Sequence, residues 1–176
     1  PISRIMLEVC EKVHVSNGMV DKDAMSLPAR SSKLFTLTAL YDATSELLGV
    51  IDPDDESNFH SEGMNRAMEF WTAVSKAIPE WSQVKNGTLR SIELRQEKIC
   101  AHSVVLRSIG AVGHQLMVER PQDWKSALLD LTQINWKKDN PEWENVCIVA
   151  HSVVSNPQAR VATRAYLKEK LGLKLT

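Results

Sequence analysis

Three cysteines in 176 residues, none of them in a Cys-x-x-Cys pair, leave nothing from which to build a disulfide framework or a zinc knuckle. Cys10, Cys100 and Cys147 are odd in number and widely spaced, which fits a reducing compartment and a cytoplasmic location. Long hydrophobic runs are missing too. No apolar stretch approaches the ~20 residues needed to span a bilayer, so no membrane partner is expected. The chain has no Gly-x-x-x-x-Gly-Lys-[Ser/Thr] loop, no Gly-x-Gly-x-x-Gly turn and no Gly-x-Ser-x-Gly elbow, the arrangements that cradle phosphates or expose a nucleophile. It also lacks an excess of either charge. Lys and Arg number 21 against 22 Asp and Glu, for a net charge of -1, so any contact with a polyanion must be local.

What is present is helical periodicity. Hydrophobic residues at 43% suffice for a folded core, and the length suits one domain. The spacing predicts an all-α, compact domain of about seven helices over residues 1–176. Because the chain starts at Pro1 rather than Met, it is read as a fragment of a longer chain or a processed product. Ile2, Ile5, Met6, Val9, Cys10 and Val13 mark a first helix that Asn17-Gly18 stops. Met19 to Arg30 reads as a connector, with Ser31-Ser32 as the N-cap of a second helix that ends at Gly49. An acidic loop from Val50 to Gly63, centred on Asp52 to Ser57, precedes a third helix from Met64 to Ile78, and Pro79 terminates or kinks it. The weak alternation of Thr88 to Leu94 leaves a small hairpin open as an alternative. Glu93 to Met117 reads as one central buried helix, in which Gly110 and Gly113 signal a close helix–helix approach. Trp124 to Ile134 gives a fifth helix. Asn140-Pro141 opens another that includes Trp143, Val146 and Val149. The last helix has the clearest limits: Asn156 as N-cap, Pro157 in the first turn and Gly172 past the end.

Several side chains are candidates for chemistry, each with a plainer alternative. Arg160, Arg164 and Lys168, four apart on the last helix, stack along one side and could meet successive phosphates. A preceding helix and short turn would make a helix-turn-helix-like arrangement. The alternative is a solvated face beside Glu169 and Lys170. Lys137 and Lys138 lie in an exposed basic turn bracketed by Trp136 and Trp143, a second candidate surface. Arg30 and Lys33 around the Ser31-Ser32 cap, together with Arg95, are anion-binding candidates, though Arg95 sits in a mixed-charge stretch that favours ion pairing. Cys100, His102, His114, Cys147 and His151 have the residue types of a metal site but not the spacing, so neither a metal nor another cofactor is expected. An enzyme reading requires His102 and Arg95 to meet across a pocket with another polar group; otherwise the chain reads as non-catalytic.

Several segments, in order, carry a resemblance. They are Arg30-Ser31-x-Lys33-Leu34-Phe35-Thr36-Leu37, Phe70-Trp71, Ile78-Pro79-x-Trp81, Leu94-Arg95 and Ile99-x-Ala101-His102. Leu106-x-x-Ile109-Gly110-x-x-Gly113, Trp136 to Trp143, Tyr166-Leu167-Lys168 and Leu171-Gly172-Leu173 complete the set. Together they resemble the C-terminal half of the DndB family of bacterial DNA sulfur (phosphorothioate) modification. The family's Asp-Gly-Gln-His-Arg motif is not in this sequence, and Ser103 follows His102 where the family pattern has glycine. The resemblance implies a DNA-binding transcriptional regulator, a repressor of the modification genes, with promoter DNA as partner. The other class of reading is a non-catalytic interaction or oligomerisation module. It would hold the protein's other domain, a modification protein or a second copy.

Overall fold

A computed structural model describes residues 2–49 and 56–175, the first four of the second span by backbone alone. Eight α-helices occur among them, with two 3-10 turns and two pairs of two-residue strands, so the chain is mostly α as its periodicity predicts. Helix α1 (Ile2–Lys12) buries Ile5, Met6, Val9 and Cys10, and the Ser16 hydroxyl, bonded to the Val9 and Val13 carbonyls, closes its end.

The chain then makes β1 (Val20–Asp21), which pairs in parallel with β2 (Phe35–Thr36). This pairing corrects the expected start of the second helix. Leu34 and Phe35 both donate to the Met19 carbonyl, so the chain after Ser31-Ser32 is extended rather than helical. Helix α2 (Leu37–Leu48) begins only where the strand ends, capped by Thr36, whose Oγ1 accepts from the Ala39 amide at 3.1 Å. Gly49, at φ 72°, ends it as expected.

Helix α3 (Glu56–Ala77) starts before Met64, so the residues from Glu56 to Gly63 are helix rather than loop. The rest of the acidic loop, residues 50–55, lies outside the described residues. Pro79 both ends α3 and occupies the first position of α4 (Pro79–Asn86), where its missing N–H costs nothing. Trp81 is buried in α4, edge-on to Phe35 with ring centroids 4.9 Å apart. No hairpin forms over Thr88 to Leu94; α5 (Ser91–Glu97) begins there instead.

The long central helix is broken. After α5 the backbone leaves the helix, the Ile99 amide donating to the Trp136 carbonyl and Lys98 bridging to Lys137. Helix α6 (Ser103–Glu119) then starts afresh. Pairing with a distant extended segment outweighs the continuous apolar period. Helix α6 is the centre of the fold, packed chiefly against α2 and the last helix. Its glycines explain how close α2 and α3 come. A Cβ on Gly110 would stand 2.0 Å from the Ala43 carbonyl oxygen, and one on Gly113 2.2 Å from Phe70 Cζ.

Helix α7 (Trp124–Leu128) runs on as a 3-10 turn, Leu129–Gln133. At Asn140-Pro141 only another 3-10 turn forms, Pro141–Trp143. A hairpin of β3 (Ile148–Val149) and β4 (Ser152–Val153) follows where a helix was expected. Asn145, at φ 61°, cannot continue a right-handed helix. The hairpin's two loop residues, Ala150 at φ 49° and His151 at φ 65°, carry the left-handed strain that its tight turn demands. Helix α8 (Pro157–Lys170) has the expected caps, with Asn156 Oδ1 accepting from the Ala159 amide at 2.8 Å and Gly172 at φ 69°. A hairpin, not a helix, precedes α8, so the helix-turn-helix-like layout is not formed here. Among the described residues no helix is long and apolar enough to cross a membrane.

Candidate nucleic-acid interface

The stripe on α8 is drawn into the fold more than its spacing suggests. Arg164 Nη2 donates to Glu46 of α2 at 2.7 Å, with both side chains about one-third exposed, so this guanidinium ties two helices together. Arg160 donates to the Ser155 carbonyl at 3.1 Å. Lys168 is half-buried and takes part in an interaction of its own. On the other flank of α8, Lys170 pairs with Glu142 at 3.3 Å, and the Tyr166 hydroxyl donates to the same carboxylate. These bonds hold the Glu142 carboxyl below its ordinary value, the Tyr166 bond being the largest cause.

The tryptophans flanking the basic turn are not a surface for bases. Trp136 and Trp143 are buried, stacked with centroids 5.7 Å apart, and Tyr166 lies 4.2 Å from Trp143. Trp143 Nε1 donates to the Asn135 carbonyl at 2.8 Å. The aromatic pair therefore acts as a post that fixes the turn carrying Lys137, which is exposed, and Lys138, which is half-buried. Desolvation lowers the pKa of Lys138.

Tertiary pairing brings this turn to α5. Besides the Lys98–Lys137 bridge, the Lys138 amide donates to the Glu97 carbonyl at 2.9 Å. Arg95, on the same short helix, reaches the opposite way. Its Nη1 donates to the Lys33 carbonyl and to Ser91, and its Nη2 to the carbonyls of Pro28, Ala29 and Ser31 at 3.0–3.3 Å. Arg95 is thus a clamp on the 28–33 loop. Partial burial lowers its pKa, yet the guanidinium stays charged at neutral pH. Arg30 is exposed at the clamped loop, and Lys33 Nζ donates to the Gly18 carbonyl at 2.7 Å. Arg30 and Lys33 do not sit at a helix start, because α2 begins at Leu37.

Two groups of candidates that look separate in the sequence, Arg30, Lys33 and Arg95 on one side and Lys137 and Lys138 on the other, therefore flank α5 at one pole. The partners of Lys33 and Arg95 are carbonyls and a hydroxyl, whereas Arg164 and Lys170 are matched by carboxylates. Nearby cations are neutralised in the same way, Lys98 by Glu80 at 3.0 Å and Arg90 by Glu93.

His102 belongs to this pole, which the sequence does not reveal because a continuous helix would turn it elsewhere. With Arg95, Met25, Leu34, Phe35 and Ser103 it lines a cavity of about 270 Å3. His102 and Arg95 do meet there beside Ser103, the condition set for an enzyme reading. However, the guanidinium is engaged with the loop carbonyls. His102 Nε2 lies 3.2 Å from the Arg95 carbonyl, which only accepts, so Nε2 carries the proton. Burial lowers the pKa of His102; the hydrogen bond to Arg95 opposes this, and the charges of Lys138 and Arg95 add to it. Cys100, two residues before, is fully buried and its thiol is pushed far up by desolvation, while burial raises Cys10 and Cys147 to about 11. These thiols are inert at neutral pH.

A test follows from the sign of the His102 shift. An unfolded histidine takes its proton near ~6.5, above the depressed folded value, so stability is full above that pH and is lost as pH falls through the interval. Wild-type protein is expected to lose more of its thermal midpoint than His102→Gln between about pH 7.5 and about pH 5.5. Equal losses in the two proteins would remove His102 as the cause.

No match to this chain was found among curated proteins or among solved structures. Residues 1–174 match the family model of DndB, described as DNA-sulfur modification-associated, and the chain therefore belongs to the DndB family.

Proposed function

We propose that this chain is a DNA-contacting regulatory component of a DNA sulfur modification system, acting as a repressor of the modification genes. We place its main phosphate contacts at the α5 pole. Charge compensation is the observation that carries this placement. Arg30, Lys33, Arg95, Lys137 and Lys138 stand together against Asp21, Glu97 and Asp139, of which Asp21 acts on Lys33 through space, and none of the hydrogen bonds made by Lys33 and Arg95 goes to a carboxylate. Arg164 on α8 is already matched by Glu46. In this reading Arg160 and Lys168 are secondary contacts. A phosphate gains most from cations whose charge the protein has not itself neutralised.

Fluorescence anisotropy against duplex promoter DNA at two salt concentrations tests the proposal, run with and without phosphorothioate. Each phosphate contact contributes ~0.9 to the slope of log affinity against log salt. Lys137→Ala with Lys138→Ala should reduce that slope by up to about 2, and Arg160→Ala with Arg164→Ala by no more than about 1. An unchanged slope in the first pair rejects the α5 pole as the interface. Absence of binding by the wild-type chain at low salt rejects DNA contact by this chain.

A further inference from the structure

The cavity of about 270 Å3 beside His102 is walled by three parts of the chain. Met25 and Leu27 come from the loop between β1 and β2, His102 and Ser103 from the turn into α6, and Arg95 from α5. Its charge is of one sign, since no Asp or Glu lines it. Of the two acids at the start of that loop, Asp21 accepts from the amides of Asp23 and Ala24, and Asp23 is exposed to water. Desolvation is the one cause that moves the Arg95 pKa, so no carboxylate stands close enough to balance its charge. The four Nη hydrogens serve the Ser91 hydroxyl and the carbonyls of residues 28–33. That leaves Nε–H, which has no acceptor among the described residues. The charge of Lys138 also reaches the His102 ring, so the cavity lies in a positive field.

The mouth is apolar. Met25 is 84% exposed, the highest value among the exposed large hydrophobic side chains of the described residues, and Leu27 beside it is half-buried. An unbranched methionine adapts to whatever it meets, so this lip suits an apolar group entering beside a cation.

We infer that this cavity binds a small organic monoanion, a carboxylate on an apolar body, with its head at Arg95 Nε and the Ser103 hydroxyl and its body against Met25 and Leu27. One guanidinium in the lining matches one negative charge, whereas a phosphate dianion would call for a second cation there. Size agrees, because pockets for drug-sized ligands run from ~300 Å3 upwards, and about 270 Å3 takes something smaller. The His102 ring, with Nε2 spent on the Arg95 carbonyl, is a wall of the cavity rather than a donor to the ligand. A DNA phosphate at the α5 pole would draw on the same guanidinium. The cavity is nevertheless tested without DNA, so this inference stands or falls apart from the DNA reading.

Benzoate is the probe, followed through the amide chemical shifts of the isotope-labelled chain. Benzamide keeps the ring without the charge, and acetate keeps the charge without the ring. Benzoate should shift the amides of Met25, Leu27, His102 and Ser103 saturably. It should bind about tenfold more tightly than either control, since benzamide lacks the charge-assisted bond and acetate the buried apolar area. Arg95→Gln should abolish the preference for benzoate over benzamide. Because that change also releases the 28–33 loop, Ser103→Leu is the second variant. It fills the mouth from an exposed position, leaves the Arg95 clamp in place and should remove the benzoate shifts. Shifts that fail to saturate or that centre elsewhere overturn the inference, as does equal affinity for benzoate and either control. So does a preference for benzoate retained in Arg95→Gln, or benzoate binding that survives Ser103→Leu.

Discussion

Gly110→Ala is expected to destabilise the chain by about 3 kcal/mol, the upper part of the range for overpacked cores. Two effects oppose each other. Alanine favours a helix over glycine by ~1 kcal/mol, so on an open helix the change would stabilise. Here, however, the new methyl would lie 2.0 Å from the Ala43 carbonyl oxygen and 2.8 Å from its carbon. These are backbone atoms of α2, with no rotamer to change, and the helix as a whole has to move. Moving it opens the packing at Ala43 and Leu47, both fully buried. Steric cost therefore exceeds propensity. At ~2–4 °C per kcal/mol for a chain of this size, the thermal midpoint should fall by roughly 6–12 °C. Gly113→Ala meets the Phe70 ring rather than backbone, and should cost less, about 2 kcal/mol. Calorimetry on the two variants measures the difference. A midpoint for Gly110→Ala at or above wild type would mean that α2 and α6 do not cross this closely.

Trp143→Ala should have an effect at least as large. The indole is fully buried, stacks on Trp136, touches Tyr166 of α8 and donates to the Asn135 carbonyl. Removing such a side chain typically costs ~3–5 kcal/mol through lost transfer energy and the cavity left behind. Trp143→Phe keeps an apolar ring and loses chiefly the hydrogen bond, about 1 kcal/mol for a typical intramolecular bond. Urea unfolding separates the two variants. The residue also sets the turn that carries Lys137 and Lys138. If the α5 pole binds DNA, Trp143→Ala should weaken binding below its own unfolding midpoint, although the indole touches no phosphate. A loss below 1 kcal/mol would show that the aromatic post does not hold this turn.

Much of the fold is legible in neighbouring residues. Asn156-Pro157 and Gly172 bound α8 because a side-chain acceptor, a fixed φ and a left-handed glycine act within a few bonds of where they stand. Gly49 ends α2 for the same reason. The spacing of Gly110 and Gly113 also announces a close approach, though not which helix approaches.

Two of the misreadings share one cause, competition from distant backbone, and a third is local. Ser31-Ser32 looks like a cap, but Leu34 and Phe35 bond to Met19, and the helix waits until Thr36. The period through Glu93 to Met117 is real, yet Ile99 pairs with Trp136 and breaks it. Trp143 and Cys147 are four apart and both buried, as in a helix, but the left-handed Asn145 lies between them.

Sequence by itself determined the helical class, the boundaries of α8, the glycine seam of α6 and the family, because these rest on local backbone chemistry or on colinear motifs. Tertiary structure decided which cations face a carboxylate. Arg164 meets Glu46 from 118 positions away, while Arg95 closes on the loop carbonyls of residues 28–33. Helical spacing places a charge on a face; only the packing of remote segments decides what lies opposite it, and so whether its charge is spent inside the fold or left for a ligand.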